Sequence, residues 1–186
     1  MKQMSSWLKK GRFNEKDEYY TPPILVAPIL QHIKPSSTIW CPFDTKESEF
    51  VHAFKEAGHS VTATHIWNGE DFFTTKIPEC DYIISNPPFT QKLEVLKRLY
   101  EIDKPFAMIL GLPILNYQSI GEFFLDKELQ LLIVDKKVSF DGGTASFNNS
   151  FFCYKMLPRD LVFAHLENNN SKKHFVKSRM KEETPS

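Results

Sequence analysis

Apolar residues in this chain fall into short runs separated by stretches of helical period. Ser37–Cys41, Ser60–Ile66, Asp81–Ser85, Phe106–Leu110 and Leu129–Val134 are brief, rich in β-branched and aromatic residues, and bounded by polar or turn-forming positions, so they read as strands. Between them, 46–57 sets Phe50, Val51, Phe54 and Ala57 on one face and is closed by Gly58, the pattern of an amphipathic helix with its C-terminal stop. Residues 91–101 repeat the device with Leu93, Leu96, Leu99 and Tyr100, and a shorter helix is expected around 119–126. Thr21 followed by Pro22 marks a helix start, with the threonine as N-cap and the proline at the first helical position. Strand–helix alternation predicts an α/β domain whose largely parallel sheet is covered on both faces. Cys41, His65 and Ser85 should then lie near neighbouring strand ends. The end of the domain changes character. Residues 137–140 and 150–156 flank the turn Asp141-Gly142-Gly143-Thr144, which predicts an antiparallel edge strand.

The strand at 81–85 stops abruptly at Asn86-Pro87-Pro88-Phe89. Neither proline can donate to a sheet ladder and each fixes its own φ, so the backbone beyond the strand is stiff. Asn86 offers a side-chain carbonyl, the backbone carbonyl of Pro87 can point the same way, and Phe89 adds a flat apolar face. An exocyclic NH2 group can give one hydrogen to each acceptor while its ring stacks on the phenylalanine, which leaves the nitrogen lone pair free to attack an electrophile. The competing interpretation is a plain turn after a core strand.

Composition narrows the setting. The 186 residues, 41% hydrophobic and 13% aromatic, suit one domain with a sizeable core. No apolar run approaches the ~20 residues that span a bilayer, and Met1–Trp7 lacks the apolar region of a secretory signal, so a cytosolic protein with no membrane partner is expected. Cys41, Cys80 and Cys153 are scattered, with no Cys-x-x-Cys and no paired histidine spacing, and read as small core residues rather than a disulfide or metal set. The formal net charge is zero but unevenly spread: +4 over 1–16, +2 over 165–186 and −6 between. This divides the chain into a basic arm at 1–16, where Trp7 and Phe13 interleave with the bases, a domain at 17–164, and a basic Asn-, Ser- and Lys-rich tail at 165–186 expected to be disordered. The basic ends are either phosphate-contacting arms or solvated termini.

Asn-Pro-Pro-Phe resembles the catalytic motif of the S-adenosylmethionine-dependent amino-methyltransferases, which methylate adenine N6, cytosine N4 or a glutamine nitrogen. Phenylalanine at the last position is most similar to the adenine branch, and the minimal layout to short phage-type adenine methyltransferases. The resemblance covers about residues 17–157 and implies a Rossmann-like class I methyltransferase fold with S-adenosylmethionine as cofactor. It assigns Asn86, Pro87 and Phe89 to the target amine. Glu18-Tyr19-Tyr20-Thr21-Pro22 resembles the Tyr-x-Thr-Pro segment that closes over the methionine end of the cofactor, which implies roles for Tyr20 and Thr21. Cys41-Pro42-Phe43-Asp44 resembles the Asp-Pro-Phe cofactor loop, placing Pro42, Phe43 and Asp44 near the adenosine, although Cys41 stands where an aspartate is usual and Thr45-Lys46-Glu47 replaces glycines. A helix N-terminus there can bind the cofactor carboxylate. His65 stands where many relatives hold the ribose with an acid, and in Gly69-Glu70-Asp71-Phe72-Phe73 the resemblance gives Asp71 the adenine amino group and Phe72 the adenine face. Ala145–Ser150 resembles the loop that packs on a flipped base, or is an ordinary hairpin loop. The implied substrate is nucleic acid, DNA ahead of RNA, flipped or single-stranded. A protein glutamine is a further substrate class, and a non-catalytic inhibitory protein with a protein partner is the remaining alternative.

Overall fold

The computed structural model describes residues 21, 23–139 and 146–166. The elements in chain order are α1 (Pro23–Leu30), β1 (Thr38–Cys41), α2 (Glu49–Glu56), β2 (Ser60–Ala63), β3 (Tyr82–Ser85), α3 (Lys92–Ile102), β4 (Phe106–Gly111), α4 (Gln118–Phe124), β5 (Gln130–Val134), β6 (Val138–Ser139), β7 (Ser146–Phe147), β8 (Asn149–Tyr154) and β9 (Leu161–Ala164). Seven strands form one sheet in the order β2-β1-β3-β4-β8-β5-β9, and β6 and β7 pair as a separate ribbon. Neighbours are parallel except around β8, which runs antiparallel to both β4 and β5.

Strand alternation explains the layering, because successive side chains point to opposite faces. Ile39, Cys41, Ile84, Ala107, Ile109, Phe151 and Cys153 face α1 and α2, where they meet Leu25, Ile29, Phe50 and Phe54. Trp40, Ile83, Phe106, Met108, Leu110 and Phe152 face the opposite way, onto Val95, Leu96 and Leu99 of α3 and Ile120 of α4. All three cysteines are free and buried.

Local chemistry fixes the helix ends. Ser48 Oγ caps α2 by accepting from Val51 N at 3.3 Å. At its other end Gly58 takes φ +86°, Gly58 N donates to Lys55 O and His59 N to Phe54 O, both at 3.0 Å, the paired bonds of a left-handed C-terminal cap. Thr38 and Asp81 lace the starts of β1 and β3: Thr38 N and Oγ1 donate to Asp81 Oδ2 at 2.7 and 2.8 Å.

The α/β class and the mostly parallel sheet are as expected, and one detail of the topology is corrected. The antiparallel strand is not at the edge but inside the sheet, between β4 and β5. The edge on that side is β9, parallel to β5, and β2 forms the other edge. The sequence of β9 gives little sign of this, since an edge strand buries little and Leu161 and Phe163 are exposed. The expected helix at 46–57 is also shorter at its start, because Ser48 takes the capping position. Among the described residues no helix is long and apolar enough to cross a membrane. The basic arm at 1–16, Tyr20, Pro22, the Gly142-Gly143 turn and nearly all of the basic tail lie outside the described residues.

Candidate active site

Strand order reverses between β1 and β3, so the loops that leave their C-terminal ends diverge and open a crevice there. Register places Cys41 opposite Ala63 and Trp40 opposite Ile83, which brings Cys41, His65 and Ser85 to one edge of the sheet, as expected. The two crevice loops are 41–44 after β1 and 85–88 after β3.

Ser85 ties them together. Alternation puts it on the same apolar face as Ile83, so its hydroxyl must find a partner inside the protein. Ser85 Oγ donates to Asp44 Oδ2 and accepts from Phe43 N at 3.1 Å. Both Asp44 and Ser85 are buried. The sequence assigned no role to Ser85, although a serine ending an apolar strand on its buried face is itself a signal of such a clamp. Cys41, at the start of this loop, is fully buried, and desolvation followed by the neighbouring Asp44 pushes its thiol well above the ordinary range. The thiol stays protonated, so the position that carries a charge in the resembling family is neutral here.

Asp71 lies beside these loops, carried by a turn whose backbone it organises. Its Oδ1 accepts from Phe73 N at 2.9 Å, and its carbonyl accepts from Thr74 N and Thr75 N at 2.9 and 2.7 Å. The residue is only 2% exposed, and Oδ2 is buried with no hydrogen-bond partner among the described residues. Phe72 packs against Phe43 at 4.8 Å between ring centroids and against Trp40 at 5.6 Å, with the Arg98 guanidinium 5.4 Å above its ring. Phe72 is thus 3% exposed and belongs to the core, while Phe43, beside it, is half-buried at the crevice.

The other expected site residues divide. Pro42 is buried in the first crevice loop, and Thr21 is buried just before α1. Asn86 is half-buried and Pro87 buried in the second loop, and Phe89 begins the 3-10 turn Phe89–Gln91, though its ring lies outside the described side chains. His65 is buried, and its Nδ1 accepts from Trp67 N at 3.2 Å, capping the turn Ile66–Asn68. That ring nitrogen serves the turn. The helix N-terminus expected to meet a carboxylate begins only at Glu49, with Ser48 as its cap and Glu49 in its first turn. The chain's own Ser48 Oγ already takes the Val51 N–H at that end, and the Glu49 carboxylate puts a negative charge beside it.

No protein-family model matches the chain, and no curated protein matches it. Solved structures do. One is a modification subunit assigned to a type I restriction enzyme of Vibrio vulnificus, at a TM-score of 0.53 and 12% identity, covering 90% of this chain and 51% of that one. Another is a protein of Listeria monocytogenes assigned to the class I S-adenosylmethionine-dependent methyltransferases, at a TM-score of 0.50 and 12% identity, covering 86% of this chain and 69% of that one. The chain spans about half the length of the Vibrio subunit. At this identity the likeness establishes the fold, that of the class I methyltransferases.

Proposed function

We propose that this chain binds S-adenosylmethionine at the β1/β3 crevice and transfers its methyl group to an exocyclic amino nitrogen, adenine N6 of DNA before other targets. The observation that carries the proposal is the buried, unpartnered Oδ2 of Asp71 beside the Ser85-clamped crevice loops. A desolvated acceptor without a donor is costly in an apo protein, and an amino group such as that of adenine satisfies it. The shared fold supports the same reading, as does the restriction-enzyme modification subunit among the chains of similar structure.

The donor set fits the cofactor at its adenosine end. Asp71 accepts from the adenine amino group, Phe43 presents a half-buried ring, and Pro42 and Asp44 shape the loop, with Tyr20 and Thr21 assigned to the methionine end. When bound, the cofactor supplies an electrophilic methyl carbon. The protein's part is then placement, and orientation alone is worth ~7–11 kcal/mol. Asn86 accepts one hydrogen of the target amine and the Pro87 carbonyl the other, which aims the lone pair and stabilises positive charge developing on nitrogen. No general base is required, because the proton leaves after transfer.

Radiolabelled methyl transfer tests this on three substrates: unmethylated DNA, RNA and a protein extract. Label in DNA adenine supports the reading as stated. Label only in RNA or only in protein glutamine keeps the chemistry and moves the substrate. Absence of label from all three, with no cofactor bound, replaces it with a non-catalytic binding role on this fold.

A further inference from the structure

A second polar site lies at the same edge of the sheet, beyond the crevice. A cavity of about 380 Å³ opens where β4 and β5 end and β8 begins, lined in part by Leu112, Pro113, Lys136, Lys137, Asn149 and Ser150. Its floor is rigid: Asn149 pairs with Gly111, Ser150 with both Leu110 and Ile133, and Leu112 N donates to Asn148 O at 2.8 Å. Asn149 is 4% exposed and Ser150 2% exposed. Among the described residues, neither the amide nitrogen nor the amide oxygen of Asn149 has a hydrogen-bond partner, and neither has Ser150 Oγ.

Three unpartnered polar atoms on adjacent residues at the start of a core strand are unfavourable unless something else satisfies them. A carboxamide offers a donor and an acceptor side by side, and the soft χ2 torsion of asparagine lets both turn into the cavity. That pair is complementary to the N6 amino group and N7 of adenine. Leu112 and Pro113 add apolar surface for a base plane. At the rim, Lys136 and Lys137 outnumber Asp135 by one charge, and Lys137 is exposed, which suits a phosphate. Lys136 Nζ is held at the cavity by donating to Leu166 O at 2.7 Å.

We propose that this cavity is an adenine-nucleotide site, with Asn149 reading the base and Lys137 meeting the phosphate. It is separate from the Asn86 corner. β4 stands between β3 and β8, so Asn149 lies two strands from Asn86, ~9–10 Å across the sheet. A base held at Asn149 is therefore not the one presented to Asn86; it is either a free nucleotide or a neighbouring nucleotide of a bound strand. The inference does not require methyl transfer.

Titration calorimetry of the 186-residue chain with AMP, GMP, CMP and UMP tests it, together with photolabelling by 8-azido-AMP and peptide mapping. AMP is expected to bind ~tenfold tighter than the other three nucleotides, with label in the peptides spanning 130–154. Asn149→Leu should lose ~tenfold or more in AMP affinity while melting no lower than wild type, because a leucine of similar size needs no partners. Lys137→Ala should weaken AMP but leave adenosine unchanged. An adenine-containing single strand that competes with AMP and binds more tightly identifies nucleic acid as the source, whereas exclusion of the strand identifies a free nucleotide; both support the site. Undiminished AMP binding by Asn149→Leu overturns the proposal. So does label confined to the segment around Asp71, which marks the cofactor crevice instead. No AMP binding at millimolar concentration, with a lower melting temperature for Asn149→Leu, shows that only buried water satisfies these atoms.

Discussion

Replacing Ser85 with alanine should unlock the crevice loops, and the structure sets the size of the effect. The hydroxyl accepts from Phe43 N at 3.1 Å and donates to the buried Asp44. Removing it leaves the Phe43 N–H without that acceptor, at ~1–3 kcal/mol, and takes a donor from a carboxylate, at ~1.5–3 kcal/mol. Partial relaxation of the loops and entry of water offset some of this, so a net loss of about 3 kcal/mol is expected. For a chain of this size that corresponds to roughly 6–12 °C in melting temperature. Urea unfolding at constant m-value measures it directly. Ser60→Ala, at an exposed position on β2, serves as control and should lie within ~0.5 kcal/mol of wild type. Cofactor affinity should fall with the clamp, because Phe43 and Asp44 lose their fixed positions. A loss below ~1 kcal/mol for Ser85→Ala, with unchanged cofactor affinity, would show that the two loops are held by something other than this serine.

Asp71→Ala should weaken cofactor binding by ~1–3 kcal/mol in calorimetry, and Asp71→Asn, which keeps the bond from Phe73 N but presents a donor at the other position, should weaken it as much with less loss of stability. Asn86→Ala should abolish methyl transfer while cofactor affinity stays nearly unchanged; full activity in this variant would mean that the reacting amine sits elsewhere. Phe89→Ala should impair substrate binding more than Phe89→Tyr, since stacking worth ~1–3 kcal/mol per base survives in the tyrosine ring, as binding of a fluorescent oligonucleotide would reveal. Asp81 is held below the ordinary carboxylate range by the bonds from Thr38 N and Thr38 Oγ1, so its contribution is complete above the unfolded pKa of ~3.9 and fades as pH falls through the lower folded value. Because the group is exposed the contribution is about 1 kcal/mol, and the stability gap between wild type and Asp81→Asn should be constant near neutrality and close below pH ~4.

The sheet was legible where burial is two-sided and the helices where one face is apolar. β1, β3 and β4 are short apolar runs because both their faces are covered, and α2 shows its buried face through Phe50, Val51 and Phe54. β9 was not legible, since an edge strand buries little and its Phe163 points to solvent. Nor was the interior place of β8, because strand order depends on which connections cross the sheet, and a run of apolar residues does not record that. At the crevice, the loops after β1 and β3 could be read from their prolines and from the end of each run. Ser85 and Asn149 were harder: a single polar residue at a strand end looks the same whether it meets solvent, a partner or a ligand. Burial separates these cases, and burial is set by the neighbouring strands.

Whether the β1/β3 crevice holds S-adenosylmethionine is decided by titrating the wild-type chain with it in a calorimeter. Saturable binding of one cofactor per chain is expected, weakened by Asp71→Ala and unaffected by Asn86→Ala. No heat of binding at millimolar cofactor, from a protein shown to be folded, would contradict it and leave the class I fold without its methyl donor.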